Sequence, residues 1–331
     1  MERIMLAHGS GGRLSHELVR TLFQKYLGNP YLDQMNDATL LPGSRKQLAV
    51  TTDSFVVSPL FFRGGNIGRL AVCGTVNDLA VCGAIPQYLT LALILEEGLP
   101  MDDLDLIIKS VAETAAEAGV AIVCGDTKVV ERGSADKIFI NTTGIGYITD
   151  RLVCPEKIKP GDQILITGTI GDHGIAILSE REGLEFQTPV VSDCAPLNGL
   201  IDAIYLPGVK CMRDPTRGGV ATTLNELAGQ AGVSMLLIEE QFPLSPSVEG
   251  ACEMLGLEPL YLANEGKVLV IVAPEVADEV LLNMQAHPLG RNAARIGQVQ
   301  DGKPGLVLLE TPLGGKRIIG MLEGEHLPRI C

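Results

Sequence analysis

Alternating strand-like and helix-like segments, with acidic residues where strands end, constrain the fold of this chain more than any other feature. The pattern predicts a strand over 48–52, a small-residue-rich helix over 66–82, a buried strand over 87–95, an amphipathic helix over 101–118, and strands over 120–124 and 138–148. Asp53 follows the first strand, and Gly125-Asp126-Thr127-Lys128 follows the run 120–124. This order predicts an α+β architecture of mixed sheets covered by helices.

The chain length divides this architecture further. At 331 residues the chain is too long for one comfortable core, so two domains are expected. The pattern resets between 150 and 160, where a linker turn is predicted. We therefore expect an N-terminal domain over 1–152 and a C-terminal domain over 153–308. From about Leu309 the packed pattern fades, which predicts a flexible tail over 309–331.

Composition excludes several classes of protein. The formal charge of −14 argues against nucleic acid and anionic membranes, and a bound nucleotide would need a divalent cation between the two negative partners. The eight cysteines contain no C-x-x-C spacing, so the usual zinc and redox motifs are not expected. The most apolar window, 67–85, carries Arg69, Asn77 and Asp78 and is not predicted to span a membrane. With no secretion signal at the N-terminus, a cytoplasmic location is expected.

Several polar residues stand out against apolar surroundings. Asp78 lies in the apolar helix 66–82, where a carboxylate must be paired, hydrogen-bonded or bound to a metal. We favour metal or phosphate binding over a structural pair. Two arginines and two glycines in 213–219 precede a helix, which suits a phosphate tail; a structural turn with Arg213 paired to Asp214 is the alternative. His173, near another helix start, is interpreted as a capping residue.

The last four residues are Pro328-Arg329-Ile330-Cys331, which place a thiol and a carboxylate on one residue. Termini move unless they are tied down, so this thiol could swing into and out of a pocket; a frayed end is the alternative. The sequence has no G-x-x-x-x-G-K-[ST] loop and no G-x-G-x-x-G after a strand. A bound nucleotide would therefore be held by aspartates and Mg²⁺.

Four segments together resemble a known superfamily. They are Thr51-Thr52-Asp53-Ser54, Gly74-Thr75-Val76-Asn77-Asp78-Leu79-Ala80, Gly125-Asp126-Thr127-Lys128 and Arg213-Asp214-Pro215-Thr216-Arg217-Gly218-Gly219. They resemble the ATP-dependent superfamily of aminoimidazole ribonucleotide synthetase, selenophosphate synthetase and thiamine-monophosphate kinase. With the four-residue ending, the whole chain is similar to one family within it, the carbamoyl dehydratases of hydrogenase maturation. The resemblance implies a two-domain, aminoimidazole-ribonucleotide-synthetase-like (PurM-like) fold and a homodimer formed through the N-terminal sheet.

The resemblance also implies a reaction. A HypF-type carbamoyltransferase would place a carbamoyl group on Cys331, and ATP would phosphorylate the carbamoyl oxygen. Loss of phosphate and a proton would leave a thiocyanate (S-cyanate) on the sulfur. The cyano group would then pass through a HypC–HypD scaffold to become the cyanide ligand of a [NiFe]-hydrogenase iron.

The resemblance assigns roles to individual residues. Cys331 would carry the substrate, with Glu265 and Lys128 as the catalytic candidates beside it; a plain salt bridge between those two is the alternative. The residues implied in ATP binding are Asp37, Asp53, Asn77, Asp78, Asp126, Thr127, Arg213, Asp214, Thr216 and Arg217. The Mg²⁺ ligands among them would be Asp37, Asp53, Asp78 and Asp126.

Two other functions fit parts of the sequence. The chain could be another amide- or phosphate-activating enzyme of the superfamily. A selenophosphate synthetase would carry a reactive Cys or selenocysteine in its glycine-rich N-terminal loop, whereas this loop reads His8-Gly9-Ser10-Gly11-Gly12. A nucleotide-gated scaffold whose tail docks on maturation partners would explain a mobile tail, but not the set of aspartates, lysine and glutamate.

Overall fold

A computed structural model describes residues 12–18, 20, 39–41, 47–148, 150–151, 153–184, 190–324 and 329–331. Asp37, most of the glycine-rich loop 8–12 and Pro328 lie outside the described residues. None of the helices within the described ranges is long and apolar enough to cross a membrane.

The first sheet has five strands in the order β1-β2-β7-β5-β6. These strands are β1 (Thr39–Leu41), β2 (Gln47–Phe55), β5 (Ile85–Glu96), β6 (Ala121–Val130) and β7 (Ile138–Ile148), and a separate hairpin pairs β3 (Phe61–Phe62) with β4 (Gly65–Asn66). Only β5 and β6 run parallel among the pairs of this sheet, and helix α3 (Met101–Ala118) provides the crossover that parallel pairing requires. A short helix α1 (Arg13–Leu18) precedes the sheet.

Helix α2 (Ile67–Val81) packs unusually closely on this sheet because small residues line the contact. A Cβ added at Gly74 would lie 2.9 Å from the Phe55 ring, and one added at Gly144 would lie 2.6 Å from Thr75 Cγ2. Asn66 caps the helix, since its side-chain oxygen accepts from the backbone N–H groups of residues 68 and 69 at 2.8 and 3.1 Å. This close approach places the polar residues of α2 next to β2, the strand that carries Asp53.

The second sheet has seven strands in the order β14-β13-β10-β12-β8-β11-β9, with apolar cores on both faces. Its strands are β8 (Gln163–Ile166), β9 (Val209–Arg213), β10 (Ser234–Ile238), β11 (Leu269–Val272), β12 (Ala294–Gln300), β13 (Leu306–Glu310) and β14 (Lys316–Ile319). The helices of this half are α4 (Asp172–Glu182), α5 (Asn198–Ile204), α6 (Gly219–Ala231), α7 (Pro246–Leu255) and α8 (Ala277–Ala286). Short 3₁₀ turns cover Pro155–Lys157, Glu239–Gln241, Pro259–Tyr261, Pro274–Val276 and Pro288–Gly290.

The predicted helices over 66–82 and 101–118 and the strand over 138–148 are confirmed. Two strands continue past the acidic residues that were predicted to follow them. β2 continues to Phe55, so Asp53 lies within the strand, and β6 continues to Val130, so Gly125-Asp126-Thr127-Lys128 lies inside a strand and not after one. The reason is long-range pairing, since residues 124–130 align with residues 90–96 of β5. The prediction of a buried strand over 87–95 is wrong in part, because Tyr88 and Ile94 are exposed.

The predicted loss of packing from Leu309 is also wrong. Leu309 is fully buried, and β14 continues the second sheet to Ile319. At the end of the chain, Ile330 is buried in an apolar cluster with Phe62 and Ile177. The last described residues are therefore packed against the body of the protein.

Candidate functional site

The end of the chain pairs with the segment that follows β2. The backbone N–H of Val56 donates to the Cys331 oxygen at 3.2 Å, and the N–H of Ser58 donates to the Arg329 oxygen at 3.2 Å. In return, Arg329 Nε donates to the Val56 oxygen at 3.1 Å, and its guanidinium forms an ion pair with Asp136. The tail is thus held to this segment by backbone hydrogen bonds in one direction and by the Arg329 side chain in the other.

Helix α4 contacts the tail from the C-terminal half of the chain. His173 Nε2 lies 2.8 Å from the Ile330 oxygen, and Arg181 Nη2 donates to the Arg329 oxygen at 2.8 Å. Arg181 also donates to the Ser58 oxygen, through Nε at 2.9 Å and Nη2 at 2.7 Å. The interpretation of His173 as a capping residue is wrong, because Gly171 occupies the N-cap position and His173 is fully buried.

Docking places the Cys331 thiol among charged side chains. Withdrawal from water raises the pKa of this thiol to about 12; Arg217 opposes the increase, whereas Glu265 and Asp53 add to it. Conversely, a Cys331 thiolate is the largest cause of a raised pKa for the Arg217 guanidinium. The docked thiol is therefore protonated at neutral pH, with one cation and two acidic residues in electrostatic range.

Glu265 is a buried carboxyl group without a compensating partner on one oxygen. Its residue is 3% exposed, and Oε1 has no hydrogen-bond partner among the described residues. Burial raises the pKa of Glu265 well above its usual value, and the charges of Cys194 and Asp214 raise it further. A group of this kind is suited to proton transfer, because its carboxylate is a stronger base than one in water.

Asn77 holds the backbone of Glu265 from the other half of the chain. Its Nδ2 donates to the oxygens of Ala195 and Glu265 at 3.1 and 3.3 Å, and its Oδ1 accepts from the N–H of Leu197 at 2.8 Å. Both ends of the amide are therefore engaged inside the protein. The contacts give Asn77, implied in ATP binding by the sequence, a supporting role beneath Glu265.

Asp53 and Asp78 converge between β2 and α2. The Asp78 carboxylate accepts from Thr51 Oγ1 at 2.8 Å, and Asp53 is hydrogen-bonded to Asp78 and to Thr75 Oγ1, the latter at 3.4 Å. Burial raises the pKa of Asp53, against the lowering effects of these hydrogen bonds and of Arg217. Two adjoining acidic groups fit Mg²⁺, which commonly takes one or two carboxylates and completes its shell with phosphate oxygens and water.

The two arginines of the turn 213–219 interact with different partners. Arg213 Nη1 forms an ion pair with Glu226 Oε2 at 3.2 Å. Asn264 fixes the turn by donating to the Pro215 oxygen at 3.0 Å. The negative charge of the buried Asp214 raises the pKa of Glu265, and the positive charge of Arg217 lowers the pKa of the Cys331 thiol. Thr216 accepts the N–H of residue 219 through its backbone oxygen at 3.0 Å, which closes the turn.

Asp126 and Lys128 lie on the other face of the first sheet from Asp53. Across the strands, Lys128 aligns with Ile94 and then Phe139, whereas Asp53 aligns with Thr142 on the helix-covered side. Thr127 points to the helix-covered side, but it is exposed because β6 is the sheet edge. Lys128 Nζ lies 3.5 Å from Asp126 Oδ2, and both side chains are more than half exposed. The alternative salt bridge between Lys128 and Glu265 is therefore not formed.

Comparison with known proteins identifies the family. The models for the N-terminal and C-terminal domains of AIR synthase related protein match residues 35–148 and 159–308. Carbamoyl dehydratase HypE of Rhizobium leguminosarum bv. viciae is 51% identical over 335 residues, covering 99% of this chain and 95% of the relative. The chain belongs to the HypE family, within the AIR synthase related proteins.

Solved structures support the same assignment. The crystal structure of a HypE–HypF complex matches with a TM-score of 0.88 and 51% identity, covering 92% of this chain and 99% of that one. HypE in complex with ATP matches with a TM-score of 0.84 and 49% identity, covering 99% of this chain and 100% of that one. The expected two-domain, PurM-like α+β fold and the resemblance to the HypE family are thus confirmed.

Sequence reasoning missed two residues that contact the tail, His173 and Arg181. The sequence near these residues shows only that His173 lies in the first turn of a predicted helix, followed by apolar residues, and that Arg181 lies two turns later on the same helix. The partners of both side chains are backbone oxygens about 150 residues away, which no sequence motif records.

Proposed function

We propose that this chain is an ATP-dependent carbamoyl dehydratase that converts an S-carbamoyl group on Cys331 into an S-cyanate. The observation that carries the proposal is the docked position of Cys331, with Arg217, Glu265 and Asp53 acting on its sulfur. The name carbamoyl dehydratase, which the relatives carry, and a HypE structure solved with ATP support the proposal. The product would supply the cyanide ligand of a [NiFe]-hydrogenase iron.

The pKa of the docked thiol orders the events. A thiol whose pKa is about 12 is a poor nucleophile at neutral pH, so carbamoyl transfer to Cys331 takes place with the tail undocked. Once carbamoylated, the sulfur has no proton to lose, and its burial no longer opposes an ionisation. The modified tail then docks and presents the carbamoyl group to ATP.

Dehydration itself is an activation followed by an elimination. The carbamoyl oxygen attacks the γ-phosphorus of ATP and ADP leaves, which turns a poor leaving group into a phosphate ester. The C–O bond then breaks, the nitrogen loses its protons, and the carbon–nitrogen triple bond forms as phosphate departs. Glu265 accepts one of the two protons of that nitrogen, the other leaves with the phosphate, and Arg217 offsets negative charge on the phosphate oxygens.

Mg²⁺ would be held by Asp53 and Asp78 together with oxygens of ATP, because these two acidic groups adjoin within the site. When bound, the ion supplies charge neutralisation on the phosphates. Asp214, across the site in the C-terminal half, is a further acidic group that acts on Glu265. Asp37, predicted as a fourth ligand, lies outside the described residues.

A homodimer would bring Asp126 and Lys128 to a site. The open face and edge of the first sheet expose six large apolar residues, Ile85, Tyr88, Ile94, Ile122, Val123 and Val129. An apolar sheet face with a bare edge strand of ten residues is costly to leave in water, and a second copy would cover it. Asp126 and Lys128 project from that edge, so in the dimer they would serve the site of the second copy.

Other partners follow from the reaction. A HypF-type carbamoyltransferase supplies the carbamoyl group, and the solved HypE–HypF complex of a relative supports this pairing. A HypC–HypD scaffold receives the cyano group. All eight cysteines are free, which suits a reducing, cytoplasmic location for these steps.

Mass analysis of the tail peptide tests the proposal. The protein is carbamoylated with HypF and carbamoyl phosphate, freed of nucleotide and divided into samples with and without MgATP. We expect the adduct on Cys331 to lose one water only in the sample with MgATP. An adduct that persists in both samples contradicts the dehydratase, and its transfer to a HypC–HypD complex would favour the scaffold function instead.

A further inference from the structure

The backbone oxygens of the last three residues all accept hydrogen bonds from the body of the protein. The Arg329 oxygen accepts from Ser58 N and Arg181 Nη2, the Ile330 oxygen accepts from His173, and the Cys331 oxygen accepts from Val56 N. Donors thus come from both halves of the chain, the segment after β2 on one side and helix α4 on the other. These contacts are made to the backbone of the tail. The Arg329 side chain adds its own hydrogen bond to the Val56 oxygen and its ion pair with Asp136.

His173 is held as the neutral tautomer that can donate a hydrogen bond to the tail through Nε2. A carbonyl oxygen can only accept, so Nε2 carries the hydrogen and Nδ1 accepts from the Ser192 hydroxyl at 2.8 Å. Ser192 Oγ accepts in turn from the N–H of Cys194 at 3.1 Å, which fixes the hydroxyl. The Phe62 ring stands edge-on to the imidazole, at 5.6 Å between centroids. Burial lowers the pKa of His173, which keeps the ring neutral at physiological pH.

Arg181 joins the tail to the segment that receives it. The same Nη2 atom donates to the Arg329 oxygen at 2.8 Å and to the Ser58 oxygen at 2.7 Å. Ser58 N is itself a donor to the Arg329 oxygen. Loss of the guanidinium would therefore weaken both the tail contact and the alignment of the receiving segment.

We infer that His173 and Arg181 are positioning residues that hold the last three residues in the site through their backbone oxygens, independently of the group that the sulfur carries. The inference rests on the proposed function for its purpose and on the contacts above for its geometry. The charges that act on the sulfur are those of Arg217, Glu265 and Asp53, whereas the hydrogen bonds described above are accepted by backbone oxygens. The thiol, carbamoyl, phosphorylated and cyanated forms would therefore dock through the same contacts.

Alkylation of Cys331 measures docking without any catalysis. A docked thiol with a pKa of about 12 reacts slowly with iodoacetamide at pH 8, whereas an undocked thiol has an ordinary pKa and reacts readily. Cys154 is partly exposed just before the 3₁₀ turn Pro155–Lys157, away from the sheet face that a second copy would cover, and gives an internal reference in the same molecule. The ratio of labelling at the two cysteines, read by peptide mass analysis, reports the undocked fraction.

We expect Arg181→Ala to raise the Cys331-to-Cys154 ratio by about tenfold or more, since a hydrogen bond to a charged donor is lost. Arg181→Lys should give a smaller increase. Arg63→Ala is the matched control, because it removes an exposed ion pair with Glu180, the neighbour of Arg181, without touching the tail. A ratio for Arg181→Ala equal to that of the wild type overturns the inference.

His173 gives a second series. His173→Gln retains a donor for the Ile330 oxygen and should stay near the wild-type ratio, whereas His173→Leu should raise it. If either protein fails to fold, the Arg181 series still decides the matter. Equal ratios for the folded Gln and Leu variants would exclude a positioning role for this side chain.

Single-turnover dehydration separates positioning from general damage. With carbamoylated protein and saturating MgATP, Arg181→Ala should lower the rate constant in proportion to the docked fraction and leave the apparent KM for ATP unchanged. A purely structural defect in the site would change that KM as well, and such a result contradicts the inference. Because alkylation needs neither ATP nor a carbamoyl group, a raised ratio in a protein without dehydratase activity would reject the proposed function alone.

Discussion

The side-chain amide of Asn77 donates to the backbone oxygen of Glu265 at 3.3 Å, although the two residues are 188 positions apart in the chain. The amide reaches from α2, in the N-terminal half, to the segment that carries the proposed proton acceptor. The same amide also bonds Ala195 and Leu197. One buried side chain therefore fixes the base relative to the aspartates on β2 and α2.

Asn77→Ala tests this relationship. The change leaves two buried carbonyls and one buried N–H without their partner, so we expect the free energy of unfolding to fall by about 2–4 kcal/mol. The dehydration rate should fall as well, because Glu265 loses its support. Denaturant unfolding measures the first effect. Gln87→Ala, which removes only a local bond to the Pro86 oxygen, is the control, and equal stability of the two variants would contradict the role of Asn77.

Glu265→Gln should lower the dehydration activity and raise the stability of the protein at pH 8. Loss of the proton acceptor is expected to lower the dehydration rate by about 10²–10⁴-fold. The pKa of Glu265 is raised on folding, so the wild type holds this proton more tightly folded than unfolded and loses stability as pH rises above the unfolded pKa.

The neutral amide removes that pH dependence. The melting temperature of Glu265→Gln should therefore exceed that of the wild type at pH 8, and the difference should shrink towards pH 4. Thermal scans across this range provide the measurement. A gap that widens in acid would mean that folding lowers the pKa of Glu265.

Asp78→Asn should weaken Mg²⁺-dependent ATP binding by about tenfold or more, because an amide is a poor ligand for Mg²⁺. Titration calorimetry with Mg²⁺ or with EDTA separates the metal-dependent part. Asp202→Asn, which alters an exposed ion pair with Arg151, is the matched control. Unchanged affinity in Mg²⁺ would remove Asp78 from the proposed ligands.

Lys128 should act across the dimer. We expect Lys128→Ala and Cys331→Ala to be inactive separately, and a refolded mixture of the two to regain dehydration. In the mixed dimer, the chain that keeps Cys331 meets an intact Lys128 only from the second copy. Tail-peptide mass analysis, as used for the wild type, reads the product.

A mixture of Glu265→Gln with Cys331→Ala provides the control for this experiment. Glu265 acts on Cys331 of its own chain, so this mixture should stay inactive. Recovery in both mixtures would point to exchange of tails between chains, and recovery in neither would place Lys128 in the site of its own chain or outside the reaction.

Local pattern explains which parts of the fold could be predicted. Helix α3 follows from apolar periodicity and helix α2 from a continuous run of small and apolar residues, with end signals such as Asn66 and Gly119 close in sequence. The length of β6 could not be predicted, because residues 125–130 become a strand only through pairing with β5. The burial of Ile330 depends on a cluster assembled from both halves of the chain.

The candidate site divides in the same way. The family resemblance implied that Asp53 and Asp78 bind Mg²⁺ together, and the two side chains adjoin in the structure. The face on which Asp126 lies depends on strand register, and register is a property of the assembled sheet. His173 and Arg181 bind backbone oxygens, which every residue possesses. The residue types in the tail therefore give no indication of these two partners.

The docking of Cys331 beside the Glu265 of its own chain gives the proposed reaction unusual kinetics. Substrate and catalyst are one covalent molecule, so the half-life of the loaded form should not change when the dimer is diluted. A Michaelis constant can be defined for ATP but not for the carbamoyl group, whose effective concentration is set by the length and freedom of the arm. Each chain then completes one turnover per loading, and the supply of carbamoyl groups and the removal of product determine the steady output.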